Sequence, residues 1–539
     1  MPTIQELYDN PDRRLTHLKG TELMLVADGG LTKVIQAQHI HALNTADIGI
    51  PGTAGFGVAP CPIVPAGYTP LPGYTDPASD NYGNYAYSDG SIMCWIPAFY
   101  YRIGHASNPT FAAHGVDSVD IKPVSAFENQ TVANAQGYAL HRAFIDGGGV
   151  QTGFFFDKYM VSNNGGIASS IRNGNAISFH ADHNPASGLN GAPANIYASA
   201  ILAAKTRGAA FHCASIYQYG ALALLSLAHG QAATSATWCA WYDAAGVTNF
   251  PKGCNNNALR DINDTSVLYV SDGYSNCGKT GSGTPFAKTT HNGQASGIAD
   301  LNGLMWEVAI GVTCIAASKT VTGATQANPV AVTVAAHGYT TGDEIQLTGI
   351  GGMTQINDRI FTITVVDANT FTLNGADGTG FSAYTSGGSA TKGAFHGAKQ
   401  STAMRNFTSG NTLATDHWGA TGVAAMMEPL GFSPLRTDYP NNGVSRRVGD
   451  GSQQVLDAAT TGAGWRRTAK GLPRVSAMGA SGTNRFGQDH CYQYIRNELA
   501  LFVSAVWGSG SVAGVWARDW ISTRGGSNFN AGCRAASYL

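Results

Sequence analysis

Three groups of side chains in this 539-residue chain have types and spacings that could do chemistry. Asp489-His490-Cys491 sets a thiol beside a base, and a cysteine needs a base to become the nucleophilic thiolate. Adjacent residues on a strand point to opposite faces, so this triplet reads as structural. His180, Asp182 and His183 are metal-ligand types, but their Phe-His-Ala-Asp-His-Asn-Pro context reads as a loop. Asp261, Asn263 and Asp264 offer oxygen atoms of the kind Ca2+ takes, within an Asn/Asp-rich stretch (255–276) that also reads as a solvated loop. No cofactor or metal is expected, with Ca2+ the ion left possible at this stretch. The sequence contains no phosphate-cradling loop and no hydrolase elbow, and no residue is assigned as catalytic.

The elements that would have to position such groups lead to the C-terminal stretch, 507–539, where two kinds of position alternate. Trp507, Trp516, Arg518, Trp520, Arg524 and Arg534 are large side chains suited to a framework. Between them lie Gly508, Ser509, Val512, Asp519, Ile521, Ser522, Thr523, Gly525, Gly526, Asn528, Phe529 and Asn530, a chemically unrelated set. In Val515–Ile521 a period of two would put Trp516, Arg518 and Trp520 on one face and Val515, Ala517, Asp519 and Ile521 on the other. Ile521-Ser522-Thr523, variable in succession, implies a turn.

This pattern resembles the variable region of proteins diversified by diversity-generating retroelements, in which Asn codons of a template are rewritten at adenines. Trp507, Gly510, Ser511, Ala513, Gly514, Val515, Trp516, Ala517, Arg518, Trp520, Arg524, Ser527, Gly532, Arg534 and Ala535 fall on the invariant letters, and the twelve mixed positions fall on the template-Asn letters. Randomising the first two bases of an Asn codon cannot yield Lys, Glu, Gln, Met or Trp, and none of these occurs at the twelve positions. The resemblance implies an α+β, β-rich C-type lectin-like domain with two helices packed on a sheet, in which the twelve positions bind a ligand. Phe155-x-Asp157-Lys158-Tyr159-x-Val161-Ser162-Asn163 and Asp300-Leu-Asn-Gly-Leu-Met-Trp306-Glu307 resemble strands of the formylglycine-generating-enzyme branch of that fold, with Trp306 in the core and Glu307 a buried acceptor. That oxidase holds copper with a nearby thiol pair, as the resemblance implies. Here Cys491 and Cys533 are far apart in sequence, and the Gly-Phe-Arg-Cys ending becomes Gly532-Cys533-Arg534-Ala535. The departure argues for a binding protein rather than an enzyme.

Composition narrows the partners. Charged residues are 12% and the formal net charge is −2, so the chain carries no electrostatic footprint for nucleic acid or an anionic membrane. Nine Cys without a C-x-x-C pair make no disulfide framework and suit small buried positions. The start, Met1 to Asn10, has no basic and apolar regions of a signal peptide, and the apolar run Ala221–Ala228 is too short to insert in a bilayer. The expectation is synthesis in the host cytoplasm and a place on a virion, at a distal tail fibre or baseplate.

Taken in order, residues 1–50 read as an N-terminal tail-attachment and oligomerisation segment. Leu23–Ile35 alternates around Asp28-Gly29-Gly30, a hairpin signal, and the Gly20-Thr-Glu opening resembles a segment of phage tail fibre proteins. Residues 51–90, rich in Pro and Gly, read as linker or surface loop. The first part of the lectin-like domain spans 91–318. Ser91–Ile103 reads there as a strand with Pro97 at an edge or bulge, and Gly153–Asn163 as another. Ala198–Lys205 reads as a first helix. A second opens on a Ser215/Gln218 capping box and ends at Gly230. Residues 319–393 form an inserted all-β, immunoglobulin-like module that resembles modules of phage tail proteins. Val330–Val334, Glu344–Thr348, Ile360–Val366 and Thr370–Leu373 are its strands, and His337 a structural turn residue. Residues 394–539 complete the domain and end in the variable region 507–536. The expected function is that of a receptor-binding protein at a phage tail tip, contacting a protein or glycan on the host surface and other tail proteins, as a homotrimer. A bacterial surface-displayed binding protein and the copper oxidase are the alternatives.

Overall fold

The apolar run before the variable region folds as Leu499–Ser504, a strand buried along its whole length near the middle of a six-stranded sheet in this computed structural model. The structure describes residues 23–28, 31–36, 47–115, 118–244, 249–408, 420–430, 446–447 and 489–539. The strand order in this sheet is Arg446–Arg447, His490–Gln493, Arg518–Thr523, Leu499–Ser504, Trp306–Ala309, Ala531–Gly532. Arg518–Thr523 runs parallel to His490–Gln493 and antiparallel to Leu499–Ser504. A second six-stranded sheet is ordered His212–Cys213, Ala535–Ser537, Gly153–Asp157, Ile92–Pro97, Asn84–Tyr87, Tyr68–Pro70. The last residues of the chain thus pass from one sheet into the other and tie them together. Aromatic rings fill the second sheet's face: Phe155 stacks on Tyr68 at 4.1 Å and meets the edge of Tyr85 at 5.3 Å.

The helix Ile216–Ala232 touches both sheets through Tyr219, whose ring meets the edge of Phe156 at 5.4 Å and whose hydroxyl reaches Glu307. Its capping box is formed: Gln218 N–H donates to Ser215 Oγ, and Ser215 N–H donates to Gln218 Oε1 at 2.9 Å. Gly230 does not end it, and every residue from Ile216 to Gln231 is buried. A helix apolar on all sides belongs inside a core and not on one face of a sheet. Tyr219 in it donates to Glu307 at 2.7 Å, and Tyr217 to the Gly311 carbonyl at 2.9 Å.

The C-type lectin-like arrangement of two helices on one sheet is not what the chain forms. The described strands divide among seven sheets. Of the two helices expected, Ala200–Lys205 is six residues, extended backwards only by the 3-10 turn Tyr197–Ser199. The physical reason is punctuation: turns such as Thr206-Arg207-Gly208 cut the apolar segments short, and β-rich character survives while a two-helix layer does not. Residues 51–90 are also not a linker. They carry two of the second sheet's strands, and Phe56, Val58 and Tyr85 are fully buried. The apolar and aromatic residues among the Pro and Gly decide this. Ser91–Ile103 is two strands, Ile92–Pro97 and Phe99–Ile103, in different sheets, with Pro97 where they part. Leu23–Asp28 and Leu31–Gln36 pair antiparallel, Asp28 opposite Leu31, as a hairpin requires.

The inserted module hangs on a two-stranded stem, Val312–Thr320 against Ser389–Ala398, paired from Val312↔Gly397 to Thr320↔Ser389. Beyond it the ladder continues through Glu344–Thr348, Arg359–Asp367, Thr370–Leu373, Ala331–Thr333 and Gly323–Ala324. Val332, Ile345, Leu347, Phe361, Ile363 and Phe371 make a core of its own. His337 accepts from Tyr339 N–H at 2.9 Å and its other nitrogen bonds the Asp367 carbonyl at 2.8 Å, a turn fastening.

Candidate binding surface

The C-terminal stretch separates into buried and accessible side chains along the line its composition suggests. Trp507, Trp516, Arg518, Trp520, Arg524 and Arg534 are buried. Of the twelve mixed positions, Gly508, Gly525 and Phe529 are exposed, and Ser509, Val512, Ile521, Ser522, Thr523, Gly526, Asn528 and Asn530 are half-buried. Asp519 is the exception, at 7% exposure. Both faces of the chain are covered from Ala513 to Trp520, so period-two alternation does not separate core from solvent there; within the sheet Asp519 pairs with Tyr492 and Phe502. Burial pushes the Asp519 carboxyl up to about 7, against the N–H of Ile521 and the nearby Arg496 charge. Ile521, Ser522 and Thr523 remain in the strand, and the turn comes only at Arg524-Gly525. Ser511 and Ser527, invariant letters of the pattern, are exposed, and Ser527 donates to the Phe179 carbonyl at 2.8 Å.

Glycines sharpen the contrast. A Cβ added at Gly508 or Gly525 would meet open space. One added at Gly514 would overlap the Asp489 carboxylate, which accepts the Trp516 N–H at 2.9 Å. One at Gly532 would lie 2.7 Å from the Ile177 carbonyl oxygen. Gly510, with φ +60°, sits in the left-handed region that favours glycine. Gly526 departs from its group, since a Cβ there would come within 2.5 Å of the Tyr197 ring. Two of the three mixed-set glycines therefore have room for a Cβ, while Gly514 and Gly532 do not.

Two contacts connect part of the accessible set. The Tyr197 hydroxyl faces Ser522 and Asn528, and its N–H donates to the Gly526 carbonyl at 3.0 Å. Phe529, 40% exposed, has its ring 6.1 Å from Trp507, 5.9 Å from Tyr274 and 6.2 Å from His180. Beside Thr523 a groove of about 300 Å3 runs between this sheet and the inserted module, lined by Gln346, Thr391, Tyr494 and Asn497 among others. Gln346 also accepts the Ile495 N–H at 2.6 Å, fixing one wall.

Underneath, Arg534 fastens the stretch to the core. Its Nε donates to Glu307 at 2.7 Å, and its other nitrogens donate to the carbonyls of Asp157, Lys158 and Ala299. Both side chains are fully buried. Arg524 pairs with Glu498 at 3.0 Å and its carbonyl accepts Ala198 N–H.

The residues singled out for chemistry do not converge. Asp261 uses both carboxylate oxygens on the N–H groups of Gly253, Asn263 and Asp264 and on Asn255, while Asp264 takes Lys288 at 2.7 Å. These oxygens scaffold a turn and do not face a common Ca2+ position. Asp489 supports Trp516, and the His490 and Cys491 side chains lie outside the described residues. His180 and Asp182 approach at 3.5 Å on the surface, but His183 turns inward to Asp272 at 2.6 Å. Asp272 and Cys277 were not legible as its partners, because 89 residues separate His183 from Asp272. The eight described cysteines are buried, and no disulfide joins them.

Residues 327–393 match the family of the ubiquitin-activating enzyme E1 FCCH domain. The match falls within the inserted module and concerns that small part of the chain alone. No curated protein matches the chain.

Proposed function

We propose that this chain is the receptor-binding protein of a phage tail, and that its retroelement-diversified C-terminal surface grips a protein or glycan on the host cell. One observation carries the reading: in 507–536 six large side chains are buried while eleven of twelve template-like positions reach solvent. A recognition surface needs side chains that can be exchanged without unfolding the frame beneath them. Phe529 is its large apolar contact, Ile521 and Val512 the smaller ones, and Ser, Gly and Asn give adaptable hydrogen bonding. One such light site binds weakly, so a trimer held by other parts of the chain would supply avidity. Asp519 is assigned to the frame and not to the contact surface.

The test is adsorption of virions, or of purified protein, to host cells. Phe529→Ala with Ile521→Ala should reduce adsorption with little change in melting temperature. Unchanged adsorption, or melting lowered by many degrees, would remove the basis of the reading. The neighbouring DNA offers a second check: a near-copy of the codons for Trp507–Ala536 with Asn at the mixed positions, beside a reverse transcriptase gene.

A further inference from the structure

Directly beneath Phe529 lies a group of side chains that the binding surface does not use. Asp272 N–H donates to the Cys277 carbonyl and Cys277 N–H to the Tyr274 carbonyl, closing a six-residue loop that sets Asp272 and Cys277 side by side. His183 enters from another segment and stacks on Tyr274 at 4.1 Å. One ligand atom from each of His183, Asp272 and Cys277 lies within 4.8 Å of the others. All three side chains are buried, at 2%, 0% and 0% exposure.

The hydrogen bonding of His183 is informative. Its Nδ1 faces the Phe529 carbonyl at 2.8 Å and its Nε2 faces Asp272 Oδ2 at 2.6 Å. The Phe529 carbonyl can only accept, so the Nδ1 side of the ring donates to it and Nε2 is the nitrogen turned toward Asp272 and Cys277. An imidazole that donates from one nitrogen to a backbone carbonyl is held in the tautomer that ligates through the other. We infer that His183 Nε2, an Asp272 carboxylate oxygen and Cys277 Sγ form a divalent transition-metal site, of the kind Zn2+ takes, with water in the fourth position.

Charge and size agree with this. Binding sends the Cys277 thiol proton to solvent, and the imidazole ligates as the neutral ring. An imidazole, a carboxylate, a thiolate and a dication sum to zero, so no charge is left uncompensated in the occupied site. Nitrogen and oxygen ligands at about 2.0–2.1 Å in a tetrahedron lie roughly 3.3 Å apart, so the His183–Asp272 contact opens by less than about 1 Å. Asp272 Oδ1 stays on Tyr274 N–H at 2.9 Å throughout. The ion would lock His183, and through it the Phe529 carbonyl, fixing the height of the Asn528–Asn530 loop. The site itself does not depend on that loop contacting a receptor.

The probes are Zn2+ and Co2+ added to the full-length chain after chelator treatment and dialysis. One equivalent of either ion should bind, and Co2+ should give a thiolate charge-transfer band. Cys277→Ser should abolish the band, and His183→Gln should weaken affinity by at least about tenfold. Cys254→Ser should keep it, since the Cys254 thiol points to the Asn276 carbonyl at 3.3 Å. No uptake by folded wild-type protein, or a band that survives Cys277→Ser, overturns the site. The wild-type result decides even if a variant fails to fold. Adsorption unchanged by Phe529→Ala with Ile521→Ala, alongside intact metal uptake, would count against the receptor reading alone.

Discussion

Removing Arg534 tests how the C-terminal frame is held. The guanidinium is fully buried, donates to Glu307 at 2.7 Å and serves three backbone carbonyls. Arg534→Met keeps most of the volume and deletes the charge. Glu307 would keep the Tyr219 and Ser504 hydroxyls, at 2.7 and 3.2 Å, but no cation among its bonded partners. Stranding one partner of a buried pair costs about 3–5 kcal/mol. Adding Glu307→Gln removes the stranded charge and should return about 1–3 kcal/mol of that loss. Urea unfolding followed by tryptophan fluorescence is the assay, because residues 319–393 contain no Trp and the signal reports the main body alone. A loss below about 1 kcal/mol for Arg534→Met, or a double variant no more stable than the single, would refute the view that this pair clamps the two sheets.

Trp516→Ala, a truncation at a fully buried site, should cost about 3–5 kcal/mol in the same assay, and a loss under 1 kcal/mol would mean the frame is held elsewhere. Gly508→Asn and Gly525→Tyr should change stability by less than about 0.5 kcal/mol, while Gly514→Ala should cost about 1–3 kcal/mol, the added methyl displacing the Asp489 carboxylate. Asp519 carries a pH signature: its folded pKa of about 7 lies above the unfolded value, so its ionisation opposes folding, and that penalty grows as pH rises from 4 to 7. Asp519→Asn should therefore stabilise the protein more at pH 8 than at pH 4; an advantage independent of pH would dissociate the residue from that titration. His141, His212 and His291, held down to about 3 by burial, act in the opposite sense, losing stability as pH falls below 6.5, so the variant must be compared with wild type at each pH.

Local patterns were legible wherever one short-range rule decides the outcome. The Leu23–Gln36 hairpin, the Ser215 capping box and the module's alternating strands all depend on residues a few places apart. The burial of the large side chains in 507–536 was also written in residue types, because an indole removes a large apolar area from water when packed and a guanidinium can serve several backbone carbonyls at once. What the local rules could not supply was the number of layers above a strand. Asp519 has the spacing of an outward residue, yet both faces of the chain are covered at that point and put it inside. The Pro/Gly-rich 51–90 segment has a linker's composition, yet its aromatic rings find a sheet to pack against.

By itself, then, the amino-acid order determined β-rich character, the hairpins and caps, the separate inserted module, and which side chains near the carboxyl end needed burial. The tertiary structure alone decided the division into seven sheets in place of a two-helix lectin layer, and the placing of Tyr197 beside Ser522 and Asn528 and of Trp507 beside Phe529. It also brought His183 onto Asp272 and Cys277. The reason is that propensity and periodicity act over one or two turns of chain, whereas burial and ligand geometry are properties of the segments that arrive from elsewhere.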